Sequence, residues 1–285
     1  MKAYEYILSK QTQWALKWGI ELIGSKGNRG RPAYTKEVDQ NLFEPLADKV
    51  RQSFNKADGH EIKTKMRAVH SSSALSVNIF QYWRKNNQAH VIAAACGFCE
   101  KGSEVSKEII FEDKKYKIDN HFQYPPNIDV VFENSDSSEN ERFAVECKFS
   151  EPYSPWGHRG LDNKYTSLGF LWEDIPHLYK LSDEFLCPVD KKFKYLYAAQ
   201  LIKHVLGLKK KLGINGFRLL YLYYDGLGEE GATHRREIEV LSEAMIADGV
   251  KFHSMTYQEL ITQLANDYRT EEHKKYINYL TERYL

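Results

Sequence analysis

Apolar positions change their spacing partway along this chain. Over residues 1–23 they recur at helical intervals, with Tyr4, Ile7, Trp14, Leu16 and Ile20 as candidate core contacts. Residues 24–32 are Gly-rich and basic, and 37–57 read as a second helix. The triplet Ser71-Ser72-Ser73 precedes an apolar run at 74–83. A serine oxygen accepts hydrogen bonds from the unpaired amides of a first helical turn, so one of the three is expected to cap a helix there. A further helix is expected over 90–99. The pattern then shortens: 109–111, 128–132 and 142–149 are brief, rich in β-formers, and read as strands, with the polar segment 134–141 as a hairpin loop. Helical spacing returns at 197–212, a buried strand at 217–224, a helix at 235–247, a strand at 250–256 and a helix at 257–265. The last stretch, 271–285, reads as a helix packed through Tyr276, Leu280 and Tyr284. This order predicts an α/β fold, a mixed central β-sheet flanked by helices, with an N-terminal helical segment. It divides into a helical, basic segment at 1–65, read as DNA-contacting, and an α/β domain at 66–285.

Two of the expected strands carry charge where a core strand should not. Side chains alternate across a strand, so Phe143, Val145, Cys147 and Phe149 share an apolar face while Glu146 and Lys148 share the other. An unpaired buried carboxylate or ammonium costs several kcal/mol, so this pair needs either a partner or a task. Asp129 likewise interrupts the run Ile128-Asp129-Val130-Val131-Phe132. If the two strands pair as a hairpin, Asp129 comes close to Glu146. Two carboxylates at one spot repel, and a divalent cation removes the repulsion. Hard oxygen ligands suit Mg²⁺ or Mn²⁺. The plainer alternative is an ion pair on an edge strand.

The arrangement Pro126-Asn127-Ile128-Asp129 followed by Glu146-Cys147-Lys148 resembles the PD-(D/E)xK restriction-endonuclease-like nuclease superfamily. The proline lies three residues before the aspartate rather than beside it. The resemblance covers roughly residues 70–210. It implies a metal-dependent DNA endonuclease in which Asp129 and Glu146 ligate Mg²⁺ (or Mn²⁺) and Lys148 orients the attacking water and stabilises the transition state. It implies restriction or defence as the setting, with repair or recombination cleavage, or DNA binding without cleavage, as the other readings. Symmetric cuts need two sites, which allows a homodimer.

Supporting residues follow from the same resemblance. A helix across the site is expected at 197–212, whose stripe of Ala198, Leu201, Ile202 and Val205 leaves Gln200, Lys203 and His204 on a polar side. Gln200 is assigned to the catalytic group, and Lys203 and His204 to DNA contact, against a simple solvated face. Glu112 is the candidate third metal ligand, with Glu100 and Glu104 as substitutes and an exposed strand end as the alternative. Ser72 and Ser73 either bring a helix start toward a phosphate or only cap it. Arg29-Gly30-Arg31-Pro32 resembles the core of an AT-hook, so Arg29 and Arg31 are candidate minor-groove contacts, or part of a surface loop. The loop at 150–159, with Trp156 and His158, reads as a lid, a groove wall or a plain connection.

Composition narrows the picture only slightly. The chain has 285 residues, 42% of them hydrophobic, and a net charge of +1, so any nucleic-acid affinity must come from local clusters. No apolar run reaches the roughly 18 residues of a membrane helix. The first residues lack the basic head and apolar stretch of a secretory signal, so a cytoplasmic protein with reduced thiols is expected. Cys96 and Cys99 have pair spacing, but no second pair follows, and buried thiols at a helix end are the expectation. The run from Gly226 to Gly231 spells G-x-G-x-x-G, yet Glu229 and Glu230 inside it would repel a pyrophosphate, so a glycine-requiring turn is preferred.

Overall fold

Both faces of one sheet are apolar, and each recruits its own set of helices. The computed structural model describes residues 1–25, 29–56, 61–134 and 141–285. The chain begins with α1 (Ala3–Lys17) and a small antiparallel pair, β1 (Leu22–Gly24) and β2 (Arg29–Thr35). Three helices follow: α2 (Asp48–Lys56), α3 (Ser72–Lys85) and α4 (Ala89–Ala95). The sheet then builds through β3 (Ser106–Asp113), β4 (Ile128–Asn134) and β5 (Arg142–Lys148). A long excursion holds α5 (Asn163–Thr166) and α6 (Pro176–Ser182) before α7 (Ala198–Leu212) returns the chain to β6 (Phe217–Tyr223). The chain closes with α8 (Gly228–Ala247), β7 (Phe252–Thr256), α9 (Tyr257–Asp267) and α10 (Lys274–Tyr284).

The sheet order is β3-β4-β5-β6-β7, antiparallel among the first three strands and parallel among the last three. This is the mixed, helix-flanked α/β sheet that the sequence pattern predicts. Alternation along β5 assigns the faces. Phe143, Val145, Cys147 and Phe149 join one core with side chains of α3, α4, α9 and α10, while Ala144 joins the other with α6, α7 and α8. Each fully buried Leu, Val or Phe contributes about 1.5–3 kcal/mol. Among the described residues no helix is long and apolar enough to cross a membrane.

Three expectations about elements change. The helix read over 37–57 is a short 3-10 turn (Val38–Asn41), a loop, and then α2. Pro45 has no N–H and forces the preceding residue out of helical geometry, which separates the two pieces. The loop is nonetheless ordered by α3, since Asn78 Oδ1 accepts the Phe43 N–H at 2.7 Å and Gln81 Oε1 the Ala47 N–H at 2.9 Å. The Gly-rich basic stretch contributes β2, with Ile23 opposite Tyr34 and Leu22 opposite Thr35. Helix α8 starts seven residues before the expected Arg235, at Gly228 with φ +58°. Ser71 is the residue that caps α3, accepting the Ala74 N–H at 3.3 Å. Residues 135–140 of the expected hairpin loop lie outside the described residues.

Candidate active site

The pairing of β3, β4 and β5 lines up three carboxylates. Phe111 pairs with Val130 and Asp113 with Ile128, so Glu112 falls across from Asp129. Val130 pairs with Val145, and the same register extended by one residue puts Asp129 across from Glu146. Glu100 and Glu104 precede β3 and fall at the opposite end of that strand from Glu112. Glu112 has φ +55°, a left-handed backbone conformation that a non-glycine residue adopts only where its surroundings impose it.

Hydrogen bonds fix these acids individually. Asp129 Oδ2 accepts the Cys147 N–H at 2.8 Å. Glu146 is fully buried; Lys148 Nζ donates to its Oε1 at 2.5 Å, and its Oε2 meets His204 Nε2 at 2.7 Å. A charged Glu146 makes Nε2 the protonated ring nitrogen, leaving His204 Nδ1 buried with no hydrogen-bond partner among the described residues. Lys148 Nζ also donates to Gln200 Oε1 at 3.0 Å and sits 5.2 Å from the centre of the Tyr197 ring. Asn127 Nδ2 donates to Glu112 Oε2. Behind the strand, Ser72 Oγ donates to the Cys147 carbonyl at 2.7 Å and so ties the start of α3 to the end of β5.

The electrostatics differ sharply between neighbours. Burial works against charge on Glu146, but Lys148 and His204 outweigh it and hold its pKa at about 2. Burial pushes Asp129 well above the usual carboxylate range, and the charge of Glu146 pushes the same way. Burial raises Glu112 to about 7, with Glu61 and Glu146 adding to the rise against the Asn127 hydrogen bond. Burial alone would lower Lys148, but Glu146 and Asp129 keep it above the ordinary lysine value, so it is a cation at neutral pH. Three acids thus compete for too little positive charge. The donor chemistry, oxygens of adjacent carboxylates, fits a hard divalent ion. Among the described residues no three His, Cys, Asp or Glu side chains converge as a ready cage. An ion held here would rest on one or two carboxylates and complete its shell with water and substrate oxygens, the habit of Mg²⁺.

The residues singled out from sequence are distributed unevenly. Asp129, Glu146, Lys148, Gln200 and Glu112 lie together. His204 requires a correction: it is buried on Glu146, four residues along α7 from Gln200, and is not available as the expected phosphate contact. Lys203 is half-buried and lines an adjoining cleft. Arg31 pairs with Glu5 at 2.7 Å on the surface, and its tetrapeptide lies in β2 rather than a free loop. Residues 26–28 and the Arg29 side chain lie outside the described residues. The Gly226–Gly231 run does join a strand to a helix, but Glu230 accepts the Ala3 N–H at 2.6 Å, a structural duty. Sequence reading missed Asn127 as the partner of Glu112, although it stands within the Pro126–Asp129 segment.

A family model described as Restriction Endonuclease associating with ARP matches residues 9–285. None of the curated proteins matches the chain, and no solved structure does. A match that spans nearly all of the chain and takes in all three acid-bearing strands shows its membership: the chain belongs to this restriction-endonuclease family.

Proposed function

We propose that the chain is a metal-dependent nuclease of the PD-(D/E)xK type that hydrolyses phosphodiester bonds of DNA in restriction or defence. The observation that carries this reading is the row Glu112, Asp129, Glu146 across three adjoining strands, with the Lys148 ammonium beside it. Asp129 and Glu146, with Glu112 beside them, are the residues that would hold Mg²⁺ or Mn²⁺. When bound, such an ion supplies charge neutralisation at the phosphate and a more acidic water.

The remaining chemistry belongs to the chain. An ammonium has three N–H donors. Glu146 and Gln200 take two from Lys148, which leaves one for the attacking water or a phosphoryl oxygen. Because its pKa is raised, Lys148 acts as a fixed positive donor and not as a base. Placed where negative charge grows on phosphorus oxygens, such a donor lowers the barrier without reorganising at the moment of reaction. His204 and Gln200 hold the Glu146–Lys148 pair in place from α7. Symmetric cutting of a duplex would call for two copies of the chain.

The direct test is cleavage of supercoiled plasmid in Mg²⁺ by the wild type, Asp129→Ala and Lys148→Ala. The wild type nicks or linearises the plasmid and both variants leave it intact. Cutting by both variants at the wild-type rate would overturn the assignment.

A further inference from the structure

Gln200 lines two clefts. One, about 470 Å³, contains Asp129 and Lys148; the other, about 570 Å³, lies between α7 and the segment 157–165. The second has a different character. Its walls carry Arg159, Lys164 and Lys203, and none of the three has an ion pair among the described residues. The Lys164 ammonium rests over the Tyr165 ring at 5.4 Å, and Lys203 makes no side-chain hydrogen bond among the described residues. The cleft's acid, Asp162, is occupied in capping α5, where it accepts the Lys164 N–H at 3.1 Å.

His158 supplies an independent sign. Its side chain is 7% exposed, it lines this cleft, and among the described residues neither ring nitrogen has a hydrogen-bond partner. The buried Asp190 carboxylate faces Nδ1 at 3.9 Å, within ion-pair range but beyond hydrogen-bonding reach, which leaves Nε2 as the nitrogen open to a ligand. Buried polar atoms normally find partners, and those that do not in a native site call for a ligand or water. The cleft also adjoins the candidate active site, with Gln200 in both linings. His158 stacks on Tyr197 at 4.3 Å, and Lys148 Nζ lies 5.2 Å from the centre of the same ring. His204 bonds Glu146 and lines the same cleft.

We propose that this cleft is a phosphate subsite for the substrate strand, gripping a phosphodiester next to the one placed at Asp129 and Glu146 through Lys203, Arg159 and His158. The proposal deepens the nuclease reading and rests on it. A half-buried ammonium and an orphaned imidazole gain most from a doubly liganding anion, since charge-assisted hydrogen bonds are the strong ones. Burial already lowers the Lys203 pKa, so an arriving phosphate restores charge stabilisation that the free protein lacks.

The test measures binding without cutting. A short fluorescein-labelled duplex is titrated with wild type, Lys203→Gln, Arg159→Gln and Lys275→Gln in EDTA at several salt concentrations, with anisotropy as readout and melting temperature as a folding control. Lys203→Gln and Arg159→Gln each weaken binding about tenfold, and each lowers the salt slope by about one, the signature of one lost phosphate contact. Lys275→Gln, an exposed lysine on α10, leaves both unchanged. Wild-type affinity and slope in both cleft variants would overturn the proposal, as would a wild type that does not bind the duplex. AMP and inorganic phosphate form a second arm. If Lys203→Gln abolishes AMP or phosphate binding but spares the duplex, the cleft serves a free nucleotide and the strand proposal fails. Loss of hydrolysis with Lys203-dependent binding intact would instead sink only the nuclease reading.

Discussion

Two buried charged clusters in this chain are built on opposite principles. Around Arg283, 1% exposed, every donor is met: Nε by Gln11 Oε1 at 2.9 Å, Nη1 by the Asn41 carbonyl at 2.8 Å and Tyr279 Oη at 2.6 Å, Nη2 by Asn41 Oδ1 and Val69 O. The Trp14 ring covers the guanidinium face at 3.9 Å. Neutral oxygens and an aromatic surface satisfy one cation, and the result joins α1, the loop at Asn41 and α10. The cluster at Asp129, Glu146 and Lys148 does the reverse. Burial and the charge of Glu146 raise Asp129 and Glu112 while Lys148 and His204 hold Glu146 low, and among the described residues His204 Nδ1 has no hydrogen-bond partner. The first is a finished structural joint. The second has a charge imbalance that folding alone does not require, which makes it the candidate site.

This contrast can be broken first at its structural side. Arg283→Ala should destabilise the protein by about 3 kcal/mol or more, because several buried neutral oxygens around the guanidinium lose their donor, each at a cost of about 1–3 kcal/mol, while Trp14 loses its cover. Urea denaturation reads the loss, and plasmid cleavage per folded molecule should stay unchanged. Nearly as large, in the other currency, Asp129→Asn and Lys148→Ala should each lower the cleavage rate by about 10²–10³-fold. For Asp129→Asn the melting temperature in EDTA should hold or rise, since burial and Glu146 both oppose the charge that the substitution removes. A marked fall would make Asp129 a structural residue.

The next effect depends on pH. Burial raises Glu112 from an ordinary value of 4.5 to about 7. A carboxyl with a raised folded pKa is not penalised below its unfolded value, and stability is lost as pH climbs from there through the folded value. In EDTA, wild-type stability should therefore fall from about pH 4.5 to about pH 7 by on the order of 2 kcal/mol from this group. Glu112→Gln should flatten that segment of a melting-temperature profile. An unchanged profile would remove Glu112 from the cluster. The smallest effect belongs to His204, which acts through Glu146. His204→Gln, able to keep one hydrogen bond to Glu146, should lower kcat only about 3-fold and His204→Ala about 10-fold, with KM little changed. A KM effect alone would return His204 to substrate contact.

Much of the site was legible because strand physics is periodic. Alternation set Glu146 and Lys148 apart from Phe143, Val145 and Cys147, and the interruption of an apolar run singled out Asp129. The mixed sheet followed from the succession of short and long apolar periods. What escaped was what periodicity does not encode. On α7 the side opposite the apolar stripe read as a DNA-contacting face, with a solvated one as the alternative, but His204 is buried against Glu146. The two pieces of 37–57 hinge on Pro45 and on Asn78 and Gln81 more than thirty residues away, a long-range arrangement. The partnership of Asn127 with Glu112 depends on the bend at Glu112, which no local pattern announces.

The central claim is that Asp129 and Glu146 share one divalent ion. Calorimetric titration of Mn²⁺ into the wild type, Asp129→Asn and Glu146→Gln at neutral pH tests it most directly. The account expects a saturable heat for the wild type, at least tenfold weaker binding in either variant, and proton release on binding, seen as a dependence on the buffer's ionisation heat. No heat in the wild type, or equal affinity in all three proteins, would contradict it.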